Sequence, residues 1–175
     1  YAVTNEKLME LAVICTAPSK TFNLAGLQTS NIVIPDKGVR KKFQGTLADY
    51  GNADINPFGM TACRAAYNGG ESWLEQLKTY LQGNYAAMKD LFCREIPHVP
   101  VIKPEGTYLV WFDCRSLKLG DRDLRDLMLN KARVFLDEGA IFGEEGSGFE
   151  RINIACPRSM LMEALQRIVA AIQSL

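Results

Sequence analysis

The sequence predicts an α/β chain of two lobes joined by one long helix, and three observations carry that expectation. In the first seventy residues, short apolar runs closed by turn-forming residues alternate with stretches of helical periodicity. A single helical repeat of Leu74, Leu77, Leu81, Tyr85, Met88 and Phe92 then places six apolar side chains on one face. From Pro97 onward, short strand patterns and two helical patterns follow one another in the manner of a compact α+β unit.

Residues 11–15, Leu-Ala-Val-Ile-Cys, read as a short buried strand. Asn31, Ile32, Val33 and Ile34 read as a second strand, stopped by Pro35. Asp36 is placed to cap a helix running to about Tyr50, because its carboxylate can accept from the first free backbone N–H groups. Residues 51–57 are a break rich in Asn and Asp, and a short helix over 58–67 ends at Asn68-Gly69-Gly70. The long helix spans residues 71–95, with Gly83 as a tolerated weak point. Beyond it, Val101-Ile102, residues 108–112, 134–136 and 152–154 read as strands. Residues 121–133 read as a helix with Leu124, Leu127 and Met128 inward. Ser159 is expected to cap a closing helix that turns Leu161, Leu165, Ile168, Val169 and Ile172 inward. The domain boundary is expected within the long helix, dividing residues 1–85 from 86–175.

Composition narrows the function classes. The 20 Lys and Arg balance the 20 Asp and Glu, so the chain lacks the basic excess that nucleic acid or an anionic membrane surface requires. No apolar run has the length of a membrane span, and no signal-peptide pattern opens the sequence. The five cysteines are odd in number and form no Cys-x-x-Cys pair, which predicts reduced, buried thiols in a cytoplasmic protein. The only histidine, His98, stands apart from any cysteine or carboxylate cluster, which argues against a metal site. No Gly-x-Ser-x-Gly elbow accompanies it, which argues against a serine hydrolase. The sequence opens at Tyr1, in what reads as mid-domain sequence, so a processed or truncated piece is expected.

Three features have chemical potential. Lys20 follows the first strand and precedes small, turn-prone residues; at a buried strand end a partly desolvated amine becomes a usable nucleophile. The ordinary alternative is a solvated surface lysine. The segment Gly143-Glu144-Glu145-Gly146-Ser147-Gly148 either lets backbone approach a ligand or forms a long hairpin-like loop. Arg151, beside the apolar alternation of Ile152 and Ile154, either grips a carboxylate through two parallel hydrogen bonds or sits in a sheet-edge salt bridge. An activatable lysine together with a carboxylate-reading arginine suggests an amino-acid enzyme working through a Schiff base.

The run Ala17-Pro18-Ser19-Lys20-Thr21-Phe22-Asn23-Leu24-Ala25-Gly26-Leu27 resembles the cofactor-lysine motif of fold-type I pyridoxal 5'-phosphate (PLP) enzymes, the class I/II aminotransferase family, and most resembles its MalY/PatB-type cystathionine β-lyase (C–S lyase) branch. Four further stretches resemble the same family: Glu71-Ser72-Trp73-Leu74 with Tyr80, Leu81 and Asn84; Pro104-Glu105-Gly106-Thr107-Tyr108-Leu109-Val110-Trp111; Phe142-Gly143 through Phe149, Arg151, Ile152 and Asn153; and Ala155-Cys156-Pro157-Arg158. The resemblance implies the end of a PLP-binding large domain, the inter-domain helix, and a complete α+β small domain. It implies that Lys20 holds the cofactor and then removes the substrate's Cα proton, with Thr16 and Ser19 as phosphate contacts and Arg151 on the substrate carboxylate. The implied reaction is β-elimination from cystathionine or cysteine-type amino acids to pyruvate, ammonia and a thiol, in a homodimer. The alternatives are an aminotransferase, or a non-catalytic C-terminal piece that needs a partner half. Two positions depart from the wider family: Ala17 replaces a serine and Gln28 an arginine, both phosphate ligands in many relatives. The family's preceding half, with its pyridine-nitrogen aspartate, ring-stacking tyrosine and phosphate-binding glycine loop, has no counterpart in these 175 residues.

Overall fold

A computed structural model describes residues 6–51 and 54–175. Tyr1 and the centre of the Asn/Asp-rich break, residues 52–53, lie outside the described residues. The chain divides into two compact units, Tyr1–Gln76 and Leu77–Leu175.

The first unit opens with the short helix α1 (Glu6–Glu10) and strand β1 (Ile14–Thr16), which pairs antiparallel with β2 (Asn31–Val33). The strand is thus shorter than residues 11–15 and is not buried: Leu11 is 84% and Val13 52% exposed. The physical reason is that two paired strands cover little of each other's surface. Within the described part of this unit, these two strands make up the whole sheet. Helix α2 (Lys37–Asp49) begins where its cap was expected, with the Asp36 carboxylate accepting from the Val39 N–H at 2.7 Å. Helix α3 (Pro57–Gly69) starts with Asn56 as cap and Pro57 in the first turn, where a missing N–H costs nothing. The start of α3 lies hard against the β1–β2 connection. A Cβ on Gly59 would collide with the Thr29 side chain and stand 2.8 Å from the Leu27 carbonyl oxygen.

Helix α4 (Glu71–Glu95) runs with the bounds that its periodicity predicts, and the division between units falls inside it. In the second unit its Met88 and Phe92 are fully buried, and Phe92 meets Phe112 edge to face at 5.3 Å. The sheet there is antiparallel with order β3–β5–β4: β3 is Leu109–Asp113, β4 is Asp137–Glu138 and β5, in the centre, is Phe149–Asn153. Strand alternation sends Val110, Phe112, Glu150 and Ile152 to the buried face, and Trp111, Asp113 and Arg151 to the other. The closing helix α6 (Arg158–Gln173) buries Leu161, Leu165 and Ile168 almost completely in the same core.

Three expectations change. Residues 134–136 are not a strand, and Phe135 is 82% exposed. Helix α5 (Asp121–Asp126) loosens into a π-type turn, Leu127–Lys131, then Arg133 takes a left-handed φ of 56°, and pairing with β5 begins only at Asp137. Ser159 is not the cap of α6, which starts at Arg158, two residues earlier than such a cap implies, with Pro157 before it and no side-chain cap. The N–H of its first residue, Arg158, donates to the Tyr80 hydroxyl on α4, at 2.7 Å. Val101 makes a lone bridge to Phe112 rather than a strand with Ile102. The helical face Leu124, Leu127 and Met128 is buried as its spacing predicts.

Candidate functional site

The lysine turn is built on the first unit. After β1, Pro18 is buried, and the chain folds over itself through Phe22 N–H to Pro18 O and Leu24 N–H to Ser19 O, both 2.9 Å. Asn23 closes the turn at φ 55°, a conformation Asn tolerates better than most residues. Phe22 anchors the turn: its ring packs at 6.1 Å on Tyr67 and 6.0 Å on Trp73, and fills the space that a Cβ on Gly70 would occupy. Lys20 itself is exposed on this turn, where a partly desolvated amine was expected. The segment lies at the end of an uncovered two-stranded ribbon, so the described residues around it withhold little water. Thr16 is exposed and Ser19 half-buried on the same segment.

Arg151 lies in the second unit, on the outward face of the central strand β5. Its register partners are Trp111 on one side and Asp137 on the other. The guanidinium donates from Nε at 3.2 Å and from Nη2 at 2.8 Å, both to Oδ2 of Asp137. Its planar group also lies 4.3 Å from the centre of the Phe142 ring, which in turn meets Trp111 edge to face at 5.4 Å. The salt bridge read as one alternative for Arg151 is therefore present, in the middle of a sheet and not at its edge. Arg151 and Asp137 line a cleft of about 400 Å³ with Leu136, Asn153, Ala155 and Met160.

The glycine segment is a folded brace. Residues Gly139–Phe142 and Glu144–Gly146 form two short 3-10 turns laid on one another. A Cβ on Gly139 would collide with the Gly146 carbonyl oxygen and stand 2.6 Å from that of Phe149. Those glycines serve backbone-to-backbone contact and hold Phe142 against Arg151.

Behind Arg151 lies a group that sequence patterns did not single out. Glu150 is 1% exposed, and its Oε2 has no hydrogen-bond partner among the described residues. Burial first, then the carboxylates of Glu138, Asp121 and Asp137, push its carboxyl up to about 8. Its charge and burial raise the neighbouring Cys114 thiol well above the ordinary range, burial being the larger cause. Asp137 was likewise missed, and Phe142 and the buried Asn84 entered only as parts of stretches that resemble the family, with no contact anticipated. Their roles depend on cross-strand register and on contacts between elements far apart in the chain. The one available signal for Asp137 was its place just before the glycine segment that ends at Arg151.

All five cysteines are free. Cys63 and Cys114 are buried, Cys156 is half-buried, and Cys15 and Cys93 are exposed. The burial expected for the set fails at Cys15, on the uncovered ribbon, and at Cys93, on the outer face of α4. His98 is exposed, and its carbonyl accepts from the Ser116 hydroxyl at 2.6 Å. No group of three or more His, Cys, Asp or Glu among the described residues is arranged to hold a metal ion. No helix of the described residues is long and apolar enough to cross a membrane.

No protein-family model matches the chain. It is 40% identical over 172 residues to cystathionine β-lyase PatB of Bacillus subtilis, covering 98% of this chain and 44% of that protein. It is 32% identical over 162 residues to protein MalY of Escherichia coli, covering 92% and 42%. The crystal structure of PLP-containing cystalysin from Treponema denticola superposes with a TM-score of 0.91 at 37% identity, covering 98% of this chain and 43% of that one. The chain thus spans less than half the length of the relatives it matches. More distant matches include an aspartate aminotransferase of Pyrococcus horikoshii, 27% identical over 167 residues. The homologues are therefore MalY/PatB-type cystathionine β-lyases and PLP-dependent aminotransferases, and the part of these fold-type I enzymes that this chain matches is the C-terminal portion.

Proposed function

We propose that the chain is the part of a PLP-dependent C–S β-lyase that carries the cofactor lysine and the substrate-carboxylate arginine. The observation that carries this reading is the Lys20 turn. An amine and the Thr16 and Ser19 hydroxyls are presented on one segment that Pro18 and Phe22 anchor. That donor set fits the aldehyde and phosphate ends of PLP. When bound, PLP supplies the electron sink for a Cα carbanion. In this reading Lys20 holds the cofactor and then takes the Cα proton on Nζ, while Arg151 binds the α-carboxylate. The Cβ–S bond breaks, the proton held on Lys20 Nζ passes to the departing sulfur so that it leaves as a thiol, and water hydrolyses the remaining three-carbon enamine to pyruvate and ammonia.

Residues 1–85 read as the end of the large domain with the inter-domain helix, and residues 86–175 as the small domain. The remaining part of the enzyme would come from a further polypeptide segment, and the exposed apolar surface around β1 and β2 supports such a cover. A cytoplasmic location, which the five free thiols support, and a homodimer acting on a small amino acid complete the reading. The aminotransferase match supports amino transfer as the second reading.

The test adds PLP to the chain, alone and with a polypeptide covering the rest of a relative's length. A visible absorbance band that borohydride bleaches, and that Lys20→Ala removes, is expected. Pyruvate release from cystathionine without a keto-acid acceptor separates lyase from transaminase. No band in either mixture would overturn the reading.

A further inference from the structure

Resting on the reading of Arg151 as the carboxylate-binding group, we propose that Asp137 is its positioning residue, and that it leaves one edge of the guanidinium prepared for the substrate. A guanidinium carries five N–H donors. Asp137 takes the Nε hydrogen and one Nη2 hydrogen, both on the single oxygen Oδ2. Among the described residues, none accepts from Nη1 or from the second Nη2 hydrogen. These remaining donors form the outer edge of the fork, which matches a carboxylate through two parallel hydrogen bonds.

Two further contacts fix the plane. Phe142 lies beneath the guanidinium at 4.3 Å, and the Gly139–Phe142 turn that carries it is braced by the close approach of Gly139 to Gly146. The Asp137 backbone is held by its register opposite Arg151, with Glu138 opposite Glu150 as the only other pair of β4. With side chains 22% and 42% exposed, Arg151 and Asp137 remain open to the cleft they line. Asp137 therefore spends its charge on orienting Arg151, without blocking it.

The competing arrangement is a latch, in which the Asp137 carboxylate occupies the substrate's place and must be displaced. The two predict opposite signs. The experiment uses the 175-residue chain, the Arg151 Nε–Hε resonance in nitrogen-15 NMR, and N-acetyl-L-methionine as the carboxylate probe. In the unliganded wild type, Arg151 Nε–Hε is expected away from the free-arginine position, and Asp137→Asn is expected to return it there. Probe affinity is expected to fall about two- to tenfold in Asp137→Asn, since the guanidinium must then be ordered on binding. Asp137→Glu is expected to recover part of it. Unchanged Ile152 and Val110 amide resonances show that the sheet is intact.

Affinity that rises or stays level in Asp137→Asn, while Arg151→Lys abolishes binding, overturns the positioning role and leaves the carboxylate reading standing. Probe binding that is absent, or indifferent to Arg151→Lys, overturns the carboxylate reading itself, and the inference with it. An Arg151 Nε–Hε resonance at the free-arginine position in the wild type overturns the positioning role whatever the probe does.

Discussion

Replacing Glu150 by Gln should remove most of the pH dependence of the second unit's stability. Glu150 is buried between the inner face of the sheet and α5. The charged or titratable groups that face it are Glu138 on β4, Asp121 and Arg125 on α5, and Cys114 after β3, and Asp137 acts on it from the other face of β4. Arg125 is already committed to Glu138 at 3.1 Å and leaves Glu150 without a cation of its own. The Glu150 carboxyl titrates near 8 when folded and has an ordinary value of 4.5. Below about 4.5 both states hold the proton and the group contributes nothing to the pH slope. Between about 4.5 and 8 only the folded state holds it, so stability falls as pH rises; above 8 the full penalty is reached and is constant. At about 1.4 kcal/mol per pH unit the total reaches about 5 kcal/mol. That figure is an upper bound, because β4 has only two residues and can shift to admit water. The assay is urea unfolding of the chain at pH 5, 6, 7 and 8, followed by Trp111 fluorescence in a Trp73→Phe background. From pH 6 to 8 the parent should lose between about 1 and 3 kcal/mol more than Glu150→Gln. Stability curves that stay parallel for the two proteins across pH 5–8 would refute the reasoning.

Asn84→Ala should cost about 2–4 kcal/mol in thermal unfolding. The fully buried amide donates to the Ile154 and Cys156 carbonyls at 2.8 and 3.1 Å and accepts from Arg158 Nε at 3.0 Å, so a buried carbonyl, a half-buried carbonyl and the Arg158 guanidinium lose their partner at once. Gly139→Ala should cost about 1–3 kcal/mol, because the new methyl must push the Gly146 and Phe149 carbonyls away. The same variant should also free Phe142 from Arg151, visible as a shift of the Arg151 Nε–Hε resonance.

The parts of the fold that were readable from the chain are those set by local physics. The bounds of α4 follow from a 3.6-residue repeat that its own residues carry, and the start of α2 from one carboxylate three residues from the N–H it caps. The inward face of α6 follows in the same way, but its first residue does not. Ser159 lies inside the first turn of the helix, and the Arg158 N–H ahead of it is taken by a hydroxyl 78 positions away, that of Tyr80. Strand 134–136 fails for a similar reason. Its apolar residues suit a strand, yet pairing starts where Arg151 offers Asp137 a register, after a π-type turn that the helical pattern does not announce.

For the candidate site, residue type and neighbourhood raised Lys20 and Arg151 as candidates beside their ordinary alternatives, and only the family resemblance attached roles to them. The alternation also decides which face of β5 Arg151 occupies. What surrounds Arg151 there is decided by tertiary structure alone: Asp137 at one edge, Phe142 beneath, and a buried Glu150, its carboxyl pushed up to about 8, on the reverse face of the same strand. The physical reason is range. Helical periodicity and capping act over three or four residues, whereas a salt bridge, a ring contact and a raised pKa arise where strands from distant segments come into register and exclude water.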